Sequence, residues 1–314
     1  MKRILLLFIA LVTVVANYAQ DNTSKISINA WVDEEDVPKE AARYLDNKLQ
    51  QWIADNGFAD NDVFDRFVLA AKIDIVQKNI TPTAPIRVST KMDITLFVGD
   101  IVENKQYASC SMQVSAIGTN DIKAYINAFR KIDTQQKRIQ TMLNNAKAKI
   151  VDYYTYHCAE IKTRANGLAA RQQYDEAISF LTSVPNICSD CFMQCQAQAI
   201  TIYRQKINTE AVALLNQAKG VWATNKSKEG AMEVANIIAG INPQAANYSE
   251  VDKLRNEIAS HLQAEEKQAW NMLMQQQAHE QQKELKAIEA ARAIGVAWAK
   301  NRPKTIYRTI IYGW

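Results

Sequence analysis

Two short segments that end at a proline divide the C-terminal two-thirds of the chain. Residues 171–185 have the apolar spacing of an amphipathic helix and end at Pro185. Residues 226–243 repeat that layout and end at Pro243. Each segment lies between two long stretches with helical periodicity. Because proline cannot continue a helix, this pattern predicts an alternation of long and short helices.

The long stretches share similar endings. They predict three helices, over residues 134–171, 190–225 and 249–300. Small-residue sequences recur near their ends, around Gly167, Gly220 and Gly295, at spacings of 53 and 75 residues. A repeated unit with one longer copy is typical of a stacked helical array, in which small residues would let helices approach closely. A helical bundle without a groove for a partner is the alternative.

The first short segment resembles part of a known repeat. Residues 173–178, with the sequence Gln-Tyr-Asp-Glu-Ala-Ile, followed by Pro185, are similar to the second helix of a tetratricopeptide repeat. The spacing differs from that family's roughly 34 residues, and the usual aromatic residue of its first helix is missing. The region is therefore predicted to be tetratricopeptide-like. The resemblance implies that peptides or partner proteins bind along a concave face.

The third long stretch changes character at residues 275–284, which are polar on every side. Such a stretch either projects into solvent or pairs with another chain. Self-association through this last helix is therefore one of two expectations.

The residues before this array have the pattern of an α+β domain. A strand is predicted over 26–32, and a helix from Pro38 to Asn56, ended by Gly57. Three later runs alternate apolar and polar residues, which predicts a three-stranded antiparallel meander with one covered face. A second helix, capped by Asn120 or Asp121, follows, and the helices cover the apolar face.

The inward-facing positions of the meander alternate along each run. Cys110 lies on this apolar face and is expected to be a buried thiol. The inward positions are Phe67, Leu69, Ala71, Ile73 and Ile75 in the first run, Val88, Thr90, Met92, Ile94, Leu96 and Val98 in the second, and Ala108, Cys110, Met112, Val114 and Ala116 in the third.

This order of elements is similar to the small α/β domain of curli-secretion and LPP20-like envelope proteins. The matching parts are the helix from Glu40 to Asn56, the pair Gly57 and Phe58, and Arg66 and Phe67 at the start of the meander. The similarity spans residues 26–132. It implies a fold and carries no functional residue.

Three segments resemble a family of exported proteins from gut bacteria and their crAss-like phages. They are Phe97 to Asp100, Asn120 to Tyr125, and Ile294 to Trp314. The resemblance implies no known chemistry. It adds a phage-encoded structural protein to the interpretations.

The start of the chain has the three parts of a secretory signal peptide. Met1 to Arg3 is basic, Ile4 to Val15 is apolar, and Ala16 to Gln20 offers a cleavage site after Ala19. We expect residues 1–19 to be removed and the mature protein to be periplasmic or extracellular, without stable membrane insertion. No cysteine follows the apolar run directly, so a lipid anchor is not expected; an uncleaved anchor is the alternative.

The chain is expected to end in a strand. Pro303 ends the last helix, and Thr305 to Trp314 is rich in β-branched and aromatic residues. A single strand needs a sheet edge, either that of the meander or that of a partner; a frayed terminus is the alternative. After the leader, the predicted domains are 20–133 (α+β), 134–302 (helical array) and 303–314 (tail). The side chains expected to make the tail's contacts are Ile306, Tyr307, Ile310, Ile311, Tyr312 and Trp314.

Cysteines in an exported chain favour a disulfide. Cys188 and Cys191 lie at the start of the second long helix, where a CxxC pair can lower a thiol pKa, as in redox proteins. The strand that precedes such a pair in thioredoxin is missing, so a structural disulfide is preferred. It is expected to join one of the 188–195 cysteines (Cys188, Cys191, Cys195) to Cys158 on the neighbouring helix. Zinc held by the 188–195 cysteines and His157 is a further interpretation, but the spacing is not a standard one, and no metal is predicted.

The sequence contains no catalytic signature. It has no glycine-rich phosphate loop, no HExxH and no GxSxG. Its formal charge of +4 does not indicate a nucleic-acid binder. We therefore predict a non-enzymatic adaptor or scaffold, without a cofactor, that binds partner proteins in a cell-envelope or surface assembly. The main alternative is a thiol-redox or metal-binding protein that uses the 188–195 cysteines.

Overall fold

The chain forms two compact units. The computed structural model describes residues 26–33, 37–58, 64, 66–281 and 286–301. The first unit extends to Asp152 and also includes Pro185–Ser189, and the second comprises Tyr153–Val184 and the described residues from Asp190 onward. The first unit contains a sheet, whereas the described elements of the second are helices.

The first unit is built on a four-stranded mixed sheet. Its strands are β1 (Asn29–Val32), β2 (Phe67–Thr81), β3 (Arg87–Asp100) and β4 (Lys105–Gly118). Their order is β1-β2-β3-β4, with β1 parallel to β2 and the other neighbours antiparallel. The predicted meander and its preceding strand are confirmed. A parallel pair needs a crossover connection, and the first helix supplies it.

The helices of the first unit are α1 (Lys39–Asp55), α2 (Asp121–Arg130) and α3 (Gln136–Tyr156), the last turn of which belongs to the second unit. Two of them have a predicted signal at one end, Gly57 after α1 and Asn120 before α2. Gly57 has a φ of 75° just after α1, a conformation that favours glycine. The Asn120 side chain accepts a hydrogen bond from the backbone N–H of Lys123 and so caps α2.

The first unit continues past residue 133, the expected end of the α+β domain. The first four turns of α3 belong to it, and the apolar side chains of Ile139, Leu143 and Ile150 on that helix are buried. The change from strand to helix in the chain therefore does not coincide with the boundary between the units.

The outer half of β2 departs from the predicted pattern. Ile75, expected on the covered face, is 47% exposed, and the pairing with β3 is irregular between Ile75 and Gln77. Among the described strands, β1 pairs only with residues 68–71 of β2, so the rest of β2 forms an edge. A bulge in an edge strand increases its twist and discourages further pairing.

A buried ion-pair network joins the start of β2 to the end of β3. Arg66 is fully buried, with its Nε 3.1 Å from Asp100 Oδ2 and its Nη2 3.3 Å from Glu103 Oε1. Asp100 Oδ1 also accepts hydrogen bonds from the backbone N–H groups of Val102 and Glu103. Buried charges are tolerated only when they are paired and hydrogen-bonded, as these are.

Gly118 permits a close approach between β4 and α2. A Cβ atom there would lie 2.7 Å from the carbonyl carbon of Lys123 and 2.8 Å from Cα of Ala124. We expect Gly118→Ala to lower the free energy of unfolding of the first unit by about 1–3 kcal/mol, because the backbone must move. Hydrogen exchange of the β4 amides measures this change.

Gly167→Ala is the matched control for that substitution. Gly167 lies inside a helix, and an added Cβ would meet only the Arg171 guanidinium, at 3.9 Å. Alanine favours a helix over glycine by up to about 1 kcal/mol, so this variant should be neutral or more stable. Exchange of the β4 amides at the wild-type rate in Gly118→Ala would contradict the proposed backbone collision.

The second unit has the predicted alternation of long and short helices, with two corrections. Its helices are α4 (Cys158–Ala170), α5 (Tyr174–Thr182), α6 (Ser189–Thr224), α7 (Lys228–Ala239), α8 (Tyr248–His261), α9 (Ala264–Gln281) and α10 (Ala287–Lys300). The short helices α5 and α7 and the long helix α6 match the prediction. None of the described helices has the length and apolarity of a membrane span.

The first correction is that residues 134–171 do not form one helix. The break lies at His157, which has φ −98° and ψ 12°. Its ring stacks on Tyr153, and its Nδ1 lies 2.9 Å from Glu160 Oε2. These two side-chain contacts hold the non-helical residue between α3 and α4.

The second correction concerns residues 249–300, which form three helices. Leu262 is extended, with ψ 145°, and ends α8. The N–H of Gln263 donates to the Glu266 carboxylate, which caps the start of α9. The predicted polar stretch 275–284 falls partly in α9 and partly outside the described residues. Self-association through it stays a prediction.

The α6–α8 helices pack around one apolar core together with α9. Trp222 and Leu254 are almost fully buried in it, and Trp270 of α9 closes one side. The predicted close approach at Gly167 and Gly220 is wrong, because no neighbouring backbone lies near either glycine. The close approach occurs instead at Gly230 in the first turn of α7, where a Cβ would collide with the backbone of Asn225. A sharp turn between two helices, rather than helix crossing, requires the glycine.

Candidate binding cleft and cysteine cluster

A cleft of about 480 Å³ lies between the end of α6 and helix α8. Its lining residues are Lys219, Trp222, Ala223, Lys226, Glu250, Lys253, Leu254 and Glu257. On each side the residues recur every three or four positions, which places them on one face of a helix. The rigid helix pair therefore presents a mixed charged and apolar surface.

The floor of the cleft is apolar and belongs to the core. Trp222 is 2% exposed and Leu254 is 3% exposed. The indole Nε1 of Trp222 donates to Glu257 Oε1 at 3.0 Å, and the His261 ring meets the indole edge-on at 5.8 Å. These contacts fix the indole, so the floor does not depend on a ligand for its shape.

The rim carries three lysines and two glutamates. Glu250 lies between Lys253, at 2.6 Å, and Lys219, at 3.4 Å. Hydrogen bonds from Lys253 and then Lys219 lower the pKa of the Glu250 carboxyl. Lys226 lies 4.0 Å from Glu257. The three ammonium groups outnumber the carboxylates, and about half or more of each lysine side chain is exposed.

Cys158 and Cys191 form a disulfide. Cys158 is the first residue of α4 and Cys191 is the third residue of α6, and their Cα atoms are 5.6 Å apart. The disulfide thus joins one of the 188–195 cysteines to Cys158, as the sequence predicted. Cys195, one helical turn after Cys191, has its Sγ 3.8 Å from Cys191 Sγ. We call Cys158, Cys191 and Cys195 the cysteine triad; their three sulfur atoms lie within 4.8 Å of one another.

Cys188 is not part of the triad. Its Sγ lies 3.9 Å from the carbonyl oxygen of Val151, and burial raises the pKa of its thiol to about 11. A thiol with a raised pKa is a poor nucleophile at neutral pH. Cys188 is therefore not an activated thiol, and Cys191 is bonded to Cys158 rather than to Cys188.

The other residues singled out from the sequence are His157, Cys110 and those of the C-terminal tail. His157 contacts Glu160 and Tyr153, and the close group of metal-ligating side chains in the described part of the chain is the cysteine triad. Cys110 is half-buried rather than buried; burial raises the pKa of its thiol, and Arg138 lowers it. The tail residues of 303–314 lie outside the described residues, so tail docking stays a prediction.

The cleft was not predicted from the sequence. Its lysines and glutamates follow helical spacing on two separate stretches, which is also the pattern of ordinary solvated helix faces. Only the register between α6 and α8 brings the two sets together. That register is a tertiary property with no local signal.

Comparisons with known proteins give little further information. No protein-family model matches the chain, and no curated protein matches it. Among solved structures, the chain is similar to the crystal structure of a minor lipoprotein from Acinetobacter baumannii. That match has 10% sequence identity and a TM-score of 0.27, and it covers 37% of this chain and 92% of that chain. A likeness of this size supports no inference about function.

Proposed function

We propose that the protein is an exported, non-enzymatic adaptor that binds a partner protein in a cell-envelope or surface assembly, and that the α6–α8 cleft is its recognition point. The observation that carries the proposal is the lysine rim around a fixed apolar floor. The export part of the proposal is supported by the predicted signal peptide. The kind of partner is inferred from the chemistry of the cleft.

The rim favours a partner segment that carries carboxylates beside an apolar side chain. An ammonium group has three donors, so Lys253 can bind Glu250 and a partner's carboxylate at the same time. The contacts of Glu250 show that Lys219 and Lys253 lie close enough together to contact one carboxylate. The exposed Ala223 and the aliphatic stems of the rim lysines would contact the neighbouring side chain of the partner.

Charge on an exposed rim acts mainly on the rate of association and on its dependence on salt. We therefore expect the partner to dissociate as ionic strength rises, because the lysine side chains are well solvated. A purely apolar groove would show the opposite trend.

Photo-cross-linking tests the proposal in the cells that make the protein. A photoreactive amino acid at exposed Ala223, inside the cleft, is expected to form a discrete adduct with one partner. The same group at Met193, which is 68% exposed earlier on α6, serves as the positional control. The adduct should fall by about tenfold in a Lys219→Glu, Lys253→Glu variant, because two rim charges are reversed.

A second control matches the change in charge. Lys137 and Lys149 are exposed on α3, and replacing both by glutamate changes the net charge equally. This control should leave the adduct intact. Two results would show that the cleft is not the recognition point. One is an equal yield of adduct from positions 223 and 193, and the other is an equal yield in the rim variant and in the α3 control variant.

A further inference from the structure

The cysteine triad has the geometry of a three-thiolate metal site. A metal bonded to three thiolates at about 2.3 Å holds the sulfurs about 4 Å apart in a plane. Cys191 Sγ and Cys195 Sγ are 3.8 Å apart, and all three sulfurs lie within 4.8 Å. Reduction of the disulfide would separate Cys158 and Cys191 to a similar non-bonded distance. We propose that the reduced triad binds one monovalent copper ion.

The surroundings favour a thiolate at Cys191. This residue lies in the first turn of α6, where the positive end of the helix dipole stabilises a nearby thiolate. Cys191 and Cys195 are buried, so a bound ion would be shielded from water and from competing oxygen ligands.

The number of ligands selects the metal. Structural zinc sites take four ligands in a tetrahedron. In the part of the chain that the structure describes, the group of close ligand atoms contains three, all of them sulfur. Soft thiolates select monovalent copper, which is satisfied by two or three of them. His157 is held by Glu160 on the exposed side of α4.

The same distances argue against a simple exchange of disulfide partners. In thiol–disulfide exchange the attacking sulfur approaches along the line of the breaking bond. With an ordinary S–S bond of about 2.05 Å, the observed limits keep the angle at Cys191 Sγ to about 105° or less. Cys195 therefore lies beside the disulfide rather than in line with it. This lateral position is the one expected of a third ligand to a shared metal ion.

An external dithiol supplies two electrons and two protons to the Cys158–Cys191 disulfide and becomes a disulfide itself. Copper binding to the three thiols then releases three protons as three copper–sulfur bonds form. The oxidised triad retains one thiol, so disulfide formation and copper binding exclude each other.

Anaerobic titration with Cu(I) tests the proposal. The full mature chain is reduced with a phosphine, freed of reductant and titrated in the presence of bicinchoninate as the competitor. We expect one Cu(I) per chain to be withheld from bicinchoninate, with three sulfurs at one distance by X-ray absorption. The oxidised protein should leave the copper with the competitor.

Variants assign the ligands. Cys195→Ser should weaken copper binding by about tenfold or more, since even indirect ligand support is worth that much. Cys110→Ser and Cys188→Ser should bind like the wild type. Three results would each overturn the proposal. They are an equal loss of copper affinity in Cys188→Ser and Cys195→Ser, copper binding by the oxidised protein equal to that of the reduced protein, and an X-ray absorption spectrum with two sulfur ligands. Hydrogen exchange checks that Cys195→Ser folds; if it does not, the sulfur count and the oxidised protein decide.

Discussion

Replacing Arg66 by methionine is expected to lower the free energy of unfolding of the first unit by about 3–5 kcal/mol. The substitution removes the guanidinium from the buried carboxylates of Asp100 and Glu103, which lie within 3.3 Å of it. Hydrogen exchange of the β2 and β3 amides measures the change, because it reports on one unit of a chain that has two.

Lys48→Met is the control, since it removes the cation from a partly exposed ion pair in the same unit, in which the lysine side chain is 15% exposed. Lys48 Nζ lies 2.8 Å from Asp133 Oδ1, where the aspartate is 43% exposed. Water replaces most of that interaction, so the loss should stay under about 1 kcal/mol. Equal effects of the two substitutions would show that the Arg66 network does not anchor the sheet.

Loss of the Cys158–Cys191 disulfide is expected to lower the free energy of unfolding of the second unit by about 3–4 kcal/mol. The two cysteines are 33 residues apart, and a cross-link over that distance removes this much chain entropy from the unfolded state. The double variant Cys158→Ala, Cys191→Ala tests the value through hydrogen exchange of the α4 and α6 amides, without reductant.

Cys110→Ala provides the control for the disulfide variant. It removes a half-buried thiol from β4, so the amides of α4 and α6 should exchange as in the wild type. Reduction of the wild-type protein should reproduce the effect of the double variant. Unchanged exchange in both the double variant and the reduced protein would mean that the disulfide adds nothing to stability.

The elements that the sequence predicts well have local causes. Alternation over nine to eleven residues favours a strand, and it placed β2, β3 and β4 correctly. Gly57 and Asn120 ended and started helices through their own backbone and side-chain chemistry. The short helices α5 and α7 followed from a proline and an apolar stripe.

The sequence did not predict the two helix breaks or the bulge in β2. These features depend on contacts of individual side chains or on pairing between strands. Neither His157 nor Leu262 is a glycine or proline, and both helix breaks are held by side-chain contacts of nearby residues. The β2 bulge lies beyond Ala71, the residue at which pairing with β1 stops. Local propensity contains none of this information.

The sequence predicted the disulfide only in part. The apolar stripe that includes Cys158 correctly placed it beside the start of α6. Choosing Cys191 over Cys188 or Cys195 requires the rotation of α6 to within one turn, which periodicity does not fix. The cleft is harder still, because it needs the register of two helices that are separated by α7.

A charge-swap titration tests the proposed adaptor function most directly. The partner segment cross-linked at position 223 is synthesised, and its dissociation constant is measured with the purified protein. The Lys219→Glu, Lys253→Glu variant should bind about tenfold or more weakly, and a lysine in place of the partner's facing acidic residue should restore the affinity. Equal affinity of the wild type and this variant, with no recovery from the swapped partner, would contradict recognition through the α6–α8 cleft.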